Sequence, residues 1–343
     1  MRSVVAFVLL VFAASLPASA APLVDANFRT ADQILFWMKD YRGKPQPTRV
    51  PAVIGTLSQL GAFQEPEAAG IYVGFVAGVL HDNPKNAEKF VIKMLAIPPE
   101  DQWILVRGIA YSGLPDWQGL LTRLSKKMPT KQVMIEAYVS GQLPTLSQFE
   151  VPGRQSRMDR IKASMPFKKK APPRIVLPPS PAALDTLWGY YFATGNDWPL
   201  EQMVAMLPWS EDRNDAERLT LGSSTKYAMA RYASRDTRLL GAMHAARTIA
   251  TKEEAPVLDE VIFAAETVET GKIREEATAA LNELRIKGPS YKRKVAWWGQ
   301  MGEGAISLGC VVAAVSGAAV LGIPCVVGGA LTSATLRYLA REG

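Results

Sequence analysis

Residues 67–80 read EAAGIYVGFVAGVL, and this apolar run carries a glycine at every fourth position from Gly70. At helical periodicity Gly70, Gly74 and Gly78 lie along one face of a helix. Each glycine costs a helix about 1 kcal/mol relative to alanine, so the pattern requires a compensating contact. We therefore expect a second helix to approach this face closely.

Similar short apolar patterns at helical spacing, broken by Gly and Pro, lie on both sides of this run. Neither an alternating strand pattern nor an Asn-Gly hairpin turn stands out in the sequence. The chain therefore predicts an all-α fold of short antiparallel helical hairpins. The predicted helices begin with one capped by Thr30, continue at 51–60, 67–80, 86–95, 100–111, 116–124 and 131–138, and resume at 182–194, 200–207, 223–234, 238–251, 255–267 and 272–285.

A basic, proline-rich segment at 151–181 separates the two sets of helices. Between Arg154 and Arg174 there are eight Lys or Arg residues and one Asp, so this stretch accounts for the entire formal net charge of +7. Seven prolines exclude a continuous helix here, and we interpret 151–181 as an extended linker between helical domains at 21–150 and 182–290. A nucleic-acid partner is not expected, because such proteins usually carry a basic face across a domain. A basic linker could contact anionic lipid head groups.

Residues 1–20 have the pattern of a secretory signal peptide. Arg2 precedes an apolar run from Val4 to Leu16, and small residues at Ala18 and Ala20 suit cleavage before Ala21. A buried N-terminal helix or a retained anchor is the alternative. The chain has only two cysteines and no N-x-S/T glycosylation site, so we expect a protein of the bacterial periplasm or cell envelope.

Residues 304–336 contain no charged side chain, and their 33 residues exceed the roughly 20 that span a bilayer. Trp297 and Trp298 before this segment, and Tyr338 after it, are placed as interfacial aromatic residues. Pro324 in the middle favours a kink or a turn. The segment could span once, form a hairpin in the membrane, or form a hairpin buried in the protein, and we favour membrane association within a C-terminal region at 291–343.

Cys310 and Cys325 both lie in this apolar segment. On one straight helix they would be about 22 Å apart, which is beyond the reach of a disulfide. A disulfide therefore requires the chain to fold back between them. Otherwise both are small buried hydrophobic residues, which is the interpretation we favour.

The sequence offers one nameable catalytic pair, Ser223 and Lys226, at the S-x-x-K spacing of penicillin-binding proteins and serine β-lactamases. Those enzymes also need S-D-N and K-T-G elements and a β-sheet, which this sequence lacks. His81, at a predicted helix end, and His244, on a helix face, have no second histidine at metal spacing. We therefore expect no cofactor and no metal, and lean against an enzyme.

Aromatic residues concentrate near the start of the second helical set. They could form a recognition surface, but aromatic residues at helical spacing more often belong to a core. These residues are Trp188, Tyr190, Tyr191, Phe192 and Trp198.

The alternation of short helices with Pro at their starts and Gly at their ends, clearest at 51–80 and 86–111, resembles HEAT-type helical repeats. The segment from Leu184 to Val204, LDTLWGYYFATGNDWPLEQMV, resembles a segment of exported bacterial proteins of unknown activity, so it implies no activity here. The resulting hypothesis is an exported, membrane-tethered helical scaffold that binds protein partners. The alternatives are an envelope enzyme that uses Ser223 and Lys226, and a membrane-active or pore-forming protein.

Overall fold

The structure is a computed structural model that describes residues 23–153 and 175–267, together with positions 271, 273, 275, 276 and 279. These residues form twelve α-helices and no β-strand, so the predicted all-α fold is confirmed. The helices are α1 (Ala31–Asp40), α2 (Val50–Gln59), α3 (Gly70–Asp82), α4 (Ala87–Met94), α5 (Trp103–Tyr111), α6 (Trp117–Leu124), α7 (Gln132–Val139), α8 (Pro181–Thr194), α9 (Asp197–Met206), α10 (Ala216–Ala233), α11 (Thr237–Arg247) and α12 (Glu254–Thr267).

Short 3-10 turns connect several of these helices. They cover Tyr41–Gly43, Pro47–Arg49, Pro84–Asn86, Ser125–Lys127, Pro129–Lys131, Leu146–Gln148 and Leu207–Glu211. Several predictions lie outside the described residues: the signal peptide at 1–20, most of the basic segment, the segment 304–336, Cys310, Cys325, Trp297, Trp298 and Tyr338.

Local capping chemistry explains where the helices begin. Thr30 accepts a hydrogen bond from the backbone N–H of Gln33 and begins α1, as predicted. Ser180 caps α8 in the same way, and Pro181 occupies its first turn rather than the linker. At the other end of α8, Gly195 adopts φ 68° and donates its N–H to the Tyr191 carbonyl 2.7 Å away. This left-handed conformation suits glycine and ends the helix where the sequence predicted.

Two helices begin several residues earlier than predicted. Helix α10 starts at Ala216 rather than at 223, because the Asp215 carboxylate accepts the N–H groups of Glu217 and Arg218. Gly222 lies inside α10, where a Cβ would come within 2.2 Å of the backbone nitrogen of Ser210. Close packing therefore outweighs the low helix propensity of glycine. Helix α9 starts at Asp197 rather than at 200, because Asn196 caps it.

Helices α3 and α8 pack against each other at the centre of the protein. A Cβ on Gly74 would lie 1.9 Å from the Thr186 carbonyl oxygen, and one on Gly70 would lie 2.3 Å from the Ala182 carbonyl oxygen. Glycine on α8 serves the same purpose, since a Cβ on Gly189 would lie 2.0 Å from the Ile71 carbonyl oxygen. The prediction that the glycine face of residues 67–80 receives a second helix is confirmed.

A single hydrophobic core runs through both helical sets. Helix α3 also packs against α5, while α8 also contacts α1 and α9, and α10 contacts α12. Because α3 and α8 are far apart in sequence, this central contact differs from a solenoid, in which each repeat contacts its neighbours. The HEAT-like pattern stays a resemblance, and the two predicted domains share one core in space.

The chain returns to the same place on either side of residues 154–174. Leu177 donates its N–H to the Gln148 carbonyl at 2.9 Å, and Glu150 donates its N–H to the Leu177 carbonyl at 3.2 Å. These bonds form an isolated parallel bridge between Phe149 and Leu177. The two ends of the predicted linker are therefore held side by side against the core.

Candidate functional site

The aromatic residues near the start of the second helical set divide between the core and an open cleft. Trp188, Tyr191 and Phe192 are at most 2% exposed and belong to the core. Their rings contact each other and Tyr232, with a distance of 4.8 Å between the centroids of Trp188 and Tyr232. Tyr190 is also buried, at 7% exposed, but it lines a surface cleft together with half-buried Trp198. The core interpretation is therefore confirmed for Trp188, Tyr191 and Phe192. The recognition-surface interpretation stays a prediction for Tyr190 and Trp198.

This aromatic cleft has a volume of about 230 Å³ and combines side chains from both helical sets. Buried Tyr111, Tyr190 and Leu146 contribute to its lining, together with half-buried Trp198. Exposed polar groups and a glycine complete the lining. The cleft residues are Tyr111, Gly113, Leu146, Ser147, Tyr190, Asn196 and Trp198.

Each wall of the cleft depends on a turn that local sequence encodes. After α5, Gly113 adopts φ 67°, a conformation that favours glycine and turns the chain away from Tyr111. Leu146 and Ser147 lie within the Thr145–Gln148 capping box, in which the Thr145 backbone N–H donates to Gln148 Oε1 at 2.8 Å. Asn196 accepts the N–H of Trp198 at 2.8 Å and thereby places Trp198 at the start of α9. The cleft walls are therefore fixed by helix ends.

His81 and Asp82 lie beside the cleft at the end of α3. The His81 ring centroid is 5.7 Å from that of Tyr190, and its Nδ1 is 2.9 Å from the Ser112 carbonyl oxygen. Because a carbonyl can only accept, Nδ1 carries a proton in this contact. His81 is a helix-end residue, as the sequence predicted.

Two titratable groups near the cleft, Tyr190 and Asp82, have raised pKa values and therefore keep their protons to a higher pH than usual. Burial raises the pKa of the Tyr190 phenol, and the nearby Asp82 carboxylate raises it further. Burial also raises the pKa of Asp82, against the opposing effect of His81. Tyr190 therefore presents a protonated hydroxyl at neutral pH. Within the described chain, no hydroxyl, thiol or carboxylate side chain hydrogen-bonds to His81, so no nucleophile–base pair forms here.

No protein-family model, curated protein or solved structure matches this chain. Functional inference therefore rests on the residues themselves.

The predicted catalytic candidates Ser223 and Lys226 both lie on α10 and are both 4% exposed. Lys226 Nζ lies 2.6 Å from Glu260 Oε2 and 2.7 Å from Glu276 Oε2. Burial favours the neutral amine, but the hydrogen bonds to Glu260 and Glu276 outweigh it and raise the pKa of Lys226. A lysine that acts as a base needs a lowered pKa. This geometry favours a structural ion-pair cluster over catalysis at Ser223 and Lys226.

His244 lies on the exposed face of α11, and its Nε2 is 2.9 Å from Glu266 Oε1. Among the residues that the structure describes, no group of three or more His, Cys, Asp or Glu side chains could hold a metal ion. In the same part of the chain, no helix has both the length and the apolar character to cross a bilayer. The apolar segment at 304–336 lies outside the described residues.

Sequence reasoning identified Tyr190 and Trp198 but missed the residues that face them. Tyr111, Leu146 and Ser147 come from α5 and from the turn after α7, far from Tyr190 along the chain. No local pattern marks them as cleft residues. The available signals were the Gly113 turn and the Thr145-x-x-Gln148 capping box, which mark chain reversals where surface clefts form.

Proposed function

We propose that this protein is a non-catalytic, exported envelope protein that acts as a membrane-tethered helical scaffold and binds a protein partner through the aromatic cleft. The observation that carries the proposal is the cleft itself. It is lined by the rings of Tyr111, Tyr190 and Trp198 and lies between helices of both sets. Aromatic side chains of this kind are enriched where proteins recognise one another.

The size of the cleft favours a side chain over a small-molecule substrate. Its volume of about 230 Å³ lies below the roughly 300–1,000 Å³ of typical small-molecule sites. One apolar or aromatic side chain of a partner could pack against Tyr111 and Trp198. In many protein interfaces, a few side chains of this kind fill pockets on the partner and contribute most of the binding energy.

Polar groups at the rim suit the backbone of an extended partner segment. Ser147 and Asn196 are exposed. Asn196 uses its side-chain oxygen to cap α9, which leaves its amide NH₂ to donate to a backbone carbonyl. We therefore propose that the partner presents an aromatic or large apolar side chain on an extended segment.

Export and tethering are proposals that rest on the sequence. The signal-peptide pattern at 1–20 supports export to the periplasm or cell envelope, and the uncharged segment at 304–336 supports membrane association. Fractionation of the expressed protein tests both. We expect it in the membrane fraction after export, retained during a carbonate wash, and full release by carbonate would refute the tether.

The cleft is tested by selecting displayed peptides against the purified full-length protein and measuring the affinities of the enriched sequences by calorimetry. We expect enriched peptides to contain an aromatic residue. Trp198→Ala and Asn196→Arg should each weaken their binding by about tenfold or more, which corresponds to about 1.4 kcal/mol.

Val133→Ala provides the control, because Val133 is an apolar residue on α7 that is 82% exposed and lies outside the cleft. This variant should bind as the wild type does. Circular-dichroism melting verifies that all variants are folded. Peptides without aromatic enrichment, or cleft variants with unchanged affinity, would refute the assignment of the cleft as a partner site.

The enzyme alternative has a direct test of its own. A serine-reactive probe that labels the protein, with labelling lost in Ser223→Ala, would support catalysis. We expect no such labelling, because Ser223 is buried and Lys226 is held by two carboxylates. The pore-forming alternative rests on 304–336 and predicts that the protein permeabilises liposomes.

A further inference from the structure

A second cleft, distinct from the aromatic one, lies between the end of α1 and the start of α11. Its volume is about 230 Å³. Four cationic and two anionic side chains line it, so its formal charge is +2. The residues of this basic cleft are Lys39, Asp40, Arg42, Gly43, Arg235, Asp236, Thr237 and Arg238.

One of the two carboxylates is already fully engaged. Asp236 forms an ion pair with Arg42 and also accepts the backbone N–H groups of Arg238 and Leu239 at the start of α11. Its charge therefore compensates Arg42 and caps the helix, so the end of α11 is not a vacant anion site. Lys39, Arg235 and Arg238 form no ion pair with any residue that the structure describes.

Arg42 is the buried member of the basic cleft, with a side chain only 9% exposed. Its guanidinium group lies 4.5 Å from the ring centroid of Tyr191, and its Nη2 contacts Asp236. Its Nη1 is buried and has no hydrogen-bond acceptor within the described part of the chain. A buried N–H group without an acceptor is costly, so this nitrogen would be stabilised by an acceptor from beyond the described residues.

We propose that the basic cleft binds a phosphate group. A phosphate carries close to two negative charges at neutral pH and offers several acceptor oxygens, which matches the net charge of the cleft. Arginine binds phosphate through paired N–H donors, and Arg42, Arg235 and Arg238 supply such groups from two different parts of the chain. The small volume suits the phosphate group itself, either free in solution or on a phospholipid head group.

Thermal unfolding of the full-length protein with increasing inorganic phosphate, at constant ionic strength, tests the site. Arg235→Gln with Arg238→Gln removes two exposed cleft charges, and Lys126→Gln with Lys127→Gln removes two exposed charges elsewhere. We expect saturable stabilisation by phosphate in the wild type and the lysine control. The concentration for half-maximal effect should rise about tenfold or more in the arginine variant.

Acetate at the same ionic strength serves as the anion control and should have no saturable effect. Thermal unfolding with a short-chain, water-soluble phosphatidylglycerol distinguishes the two sources of phosphate, because a lipid-binding cleft predicts weaker stabilisation of the arginine variant than of the lysine control. Stabilisation by inorganic phosphate without that difference assigns the site to free phosphate. Equal responses of both variants in both assays, or equal stabilisation by acetate, would overturn the proposal.

Discussion

Two buried charged side chains, Asp25 and Lys226, are paired with groups from other parts of the chain. Asp25, which is 7% exposed, accepts hydrogen bonds from Arg49 and from the backbone of Asn27. Lys226 is buried on α10, while its partners Glu260 and Glu276 remain partly exposed. A buried charge without a partner is costly, so substitutions within these pairs should change the free energy of unfolding.

The Asp25–Arg49 pair should make stability depend on pH. The hydrogen bond from Arg49 lowers the pKa of Asp25 below its ordinary value of 3.8. The stability that ionised Asp25 contributes is therefore fully present when the pH is above that ordinary value. It is lost as the pH falls through the lowered pKa of the folded state. We expect Asp25→Asn to cost about 2 kcal/mol at neutral pH in urea unfolding.

The difference in unfolding free energy between wild type and Asp25→Asn should narrow as the pH falls from about 5 to about 2. Glu136→Gln, at an exposed position in the middle of α7, is the control and should show little effect at either pH. A difference that stays constant down to acid pH would contradict the ionic contribution of Asp25.

In the Lys226 cluster, removing the lysine charge should cost less stability than removing the two glutamate charges. Lys226→Met leaves Glu260 and Glu276, whose side chains are 46% and 41% exposed, in contact with water. We expect it to change the unfolding free energy by only about 1 kcal/mol. The double variant Glu260→Gln with Glu276→Gln leaves a buried ammonium group with weaker acceptors and should cost about 3 kcal/mol.

Urea unfolding at neutral pH measures both variants against the wild type. Combining all three substitutions should recover most of the loss, because no buried charge then remains. A larger loss for Lys226→Met than for the double glutamine variant would contradict the structural role assigned to Lys226.

At the scale of the helix, glycine decides how closely α3 and α8 approach. Helix α3 is buried on all sides from Gly70 to Leu80, so its sequence carries no polar face to orient it. The three glycines provide that orientation instead, since a helix backbone can reach van der Waals contact only along the glycine face. Gly189 on α8 completes the contact from the other side.

We expect Gly74→Ala to destabilise the protein by about 3 kcal/mol, because its Cβ would overlap the Thr186 backbone and force α3 and α8 apart. This loss exceeds the helix-propensity gain of about 1 kcal/mol. Gly241→Ala is the matched control, since Gly241 lies within α11 and a Cβ there meets no atom within 4 Å. It should stabilise the protein by up to about 1 kcal/mol.

Thermal and urea unfolding of both alanine variants provide the comparison. Opposite signs of the two changes are the expected result. A neutral or stabilising effect of Gly74→Ala would contradict the close packing of α3 against α8.

At the scale of the whole molecule, two helical sets that the sequence separates share one core. Buried apolar residues of the first set, between Ile34 and Val151, and of the second set, between Ala183 and Ile273, belong to the same cluster. The Phe149–Leu177 bridge holds the ends of the intervening segment together. The aromatic cleft and the basic cleft both form where the two sets meet, so each site depends on this association.

Cleavage of the backbone between the two sets should therefore leave them associated. A specific protease site inserted after Ala163 allows the cut, and size-exclusion chromatography compares intact and cleaved protein. We expect the two fragments to elute together in native buffer and to separate only in denaturant, because the α3–α8 contact and the common core hold them. Separation in native buffer would show instead that the two sets are independent domains.

The sequence predicted those parts of the fold that local chemistry controls. Thr30 begins α1 and Gly195 ends α8 where expected, because a cap or a left-handed residue satisfies backbone groups only a few positions away. The start of α10 was missed, since Gly222 lies within that helix for a packing reason that involves the distant Ser210 backbone. Tyr190 and Trp198 were recognised as candidates, but the cleft needed Tyr111 and Leu146 from elsewhere in the chain.

The amino-acid sequence by itself determined the all-α class, most helix boundaries and the close-packing face of α3, because periodicity and capping act within a few residues. Only the tertiary structure decided which surfaces meet. It brings Gly74 against Thr186, pairs Arg42 with Asp236, and places Tyr111 near Trp198. Such contacts join residues far apart along the chain, and they depend on how all the helices fill one core together, which no local pattern encodes.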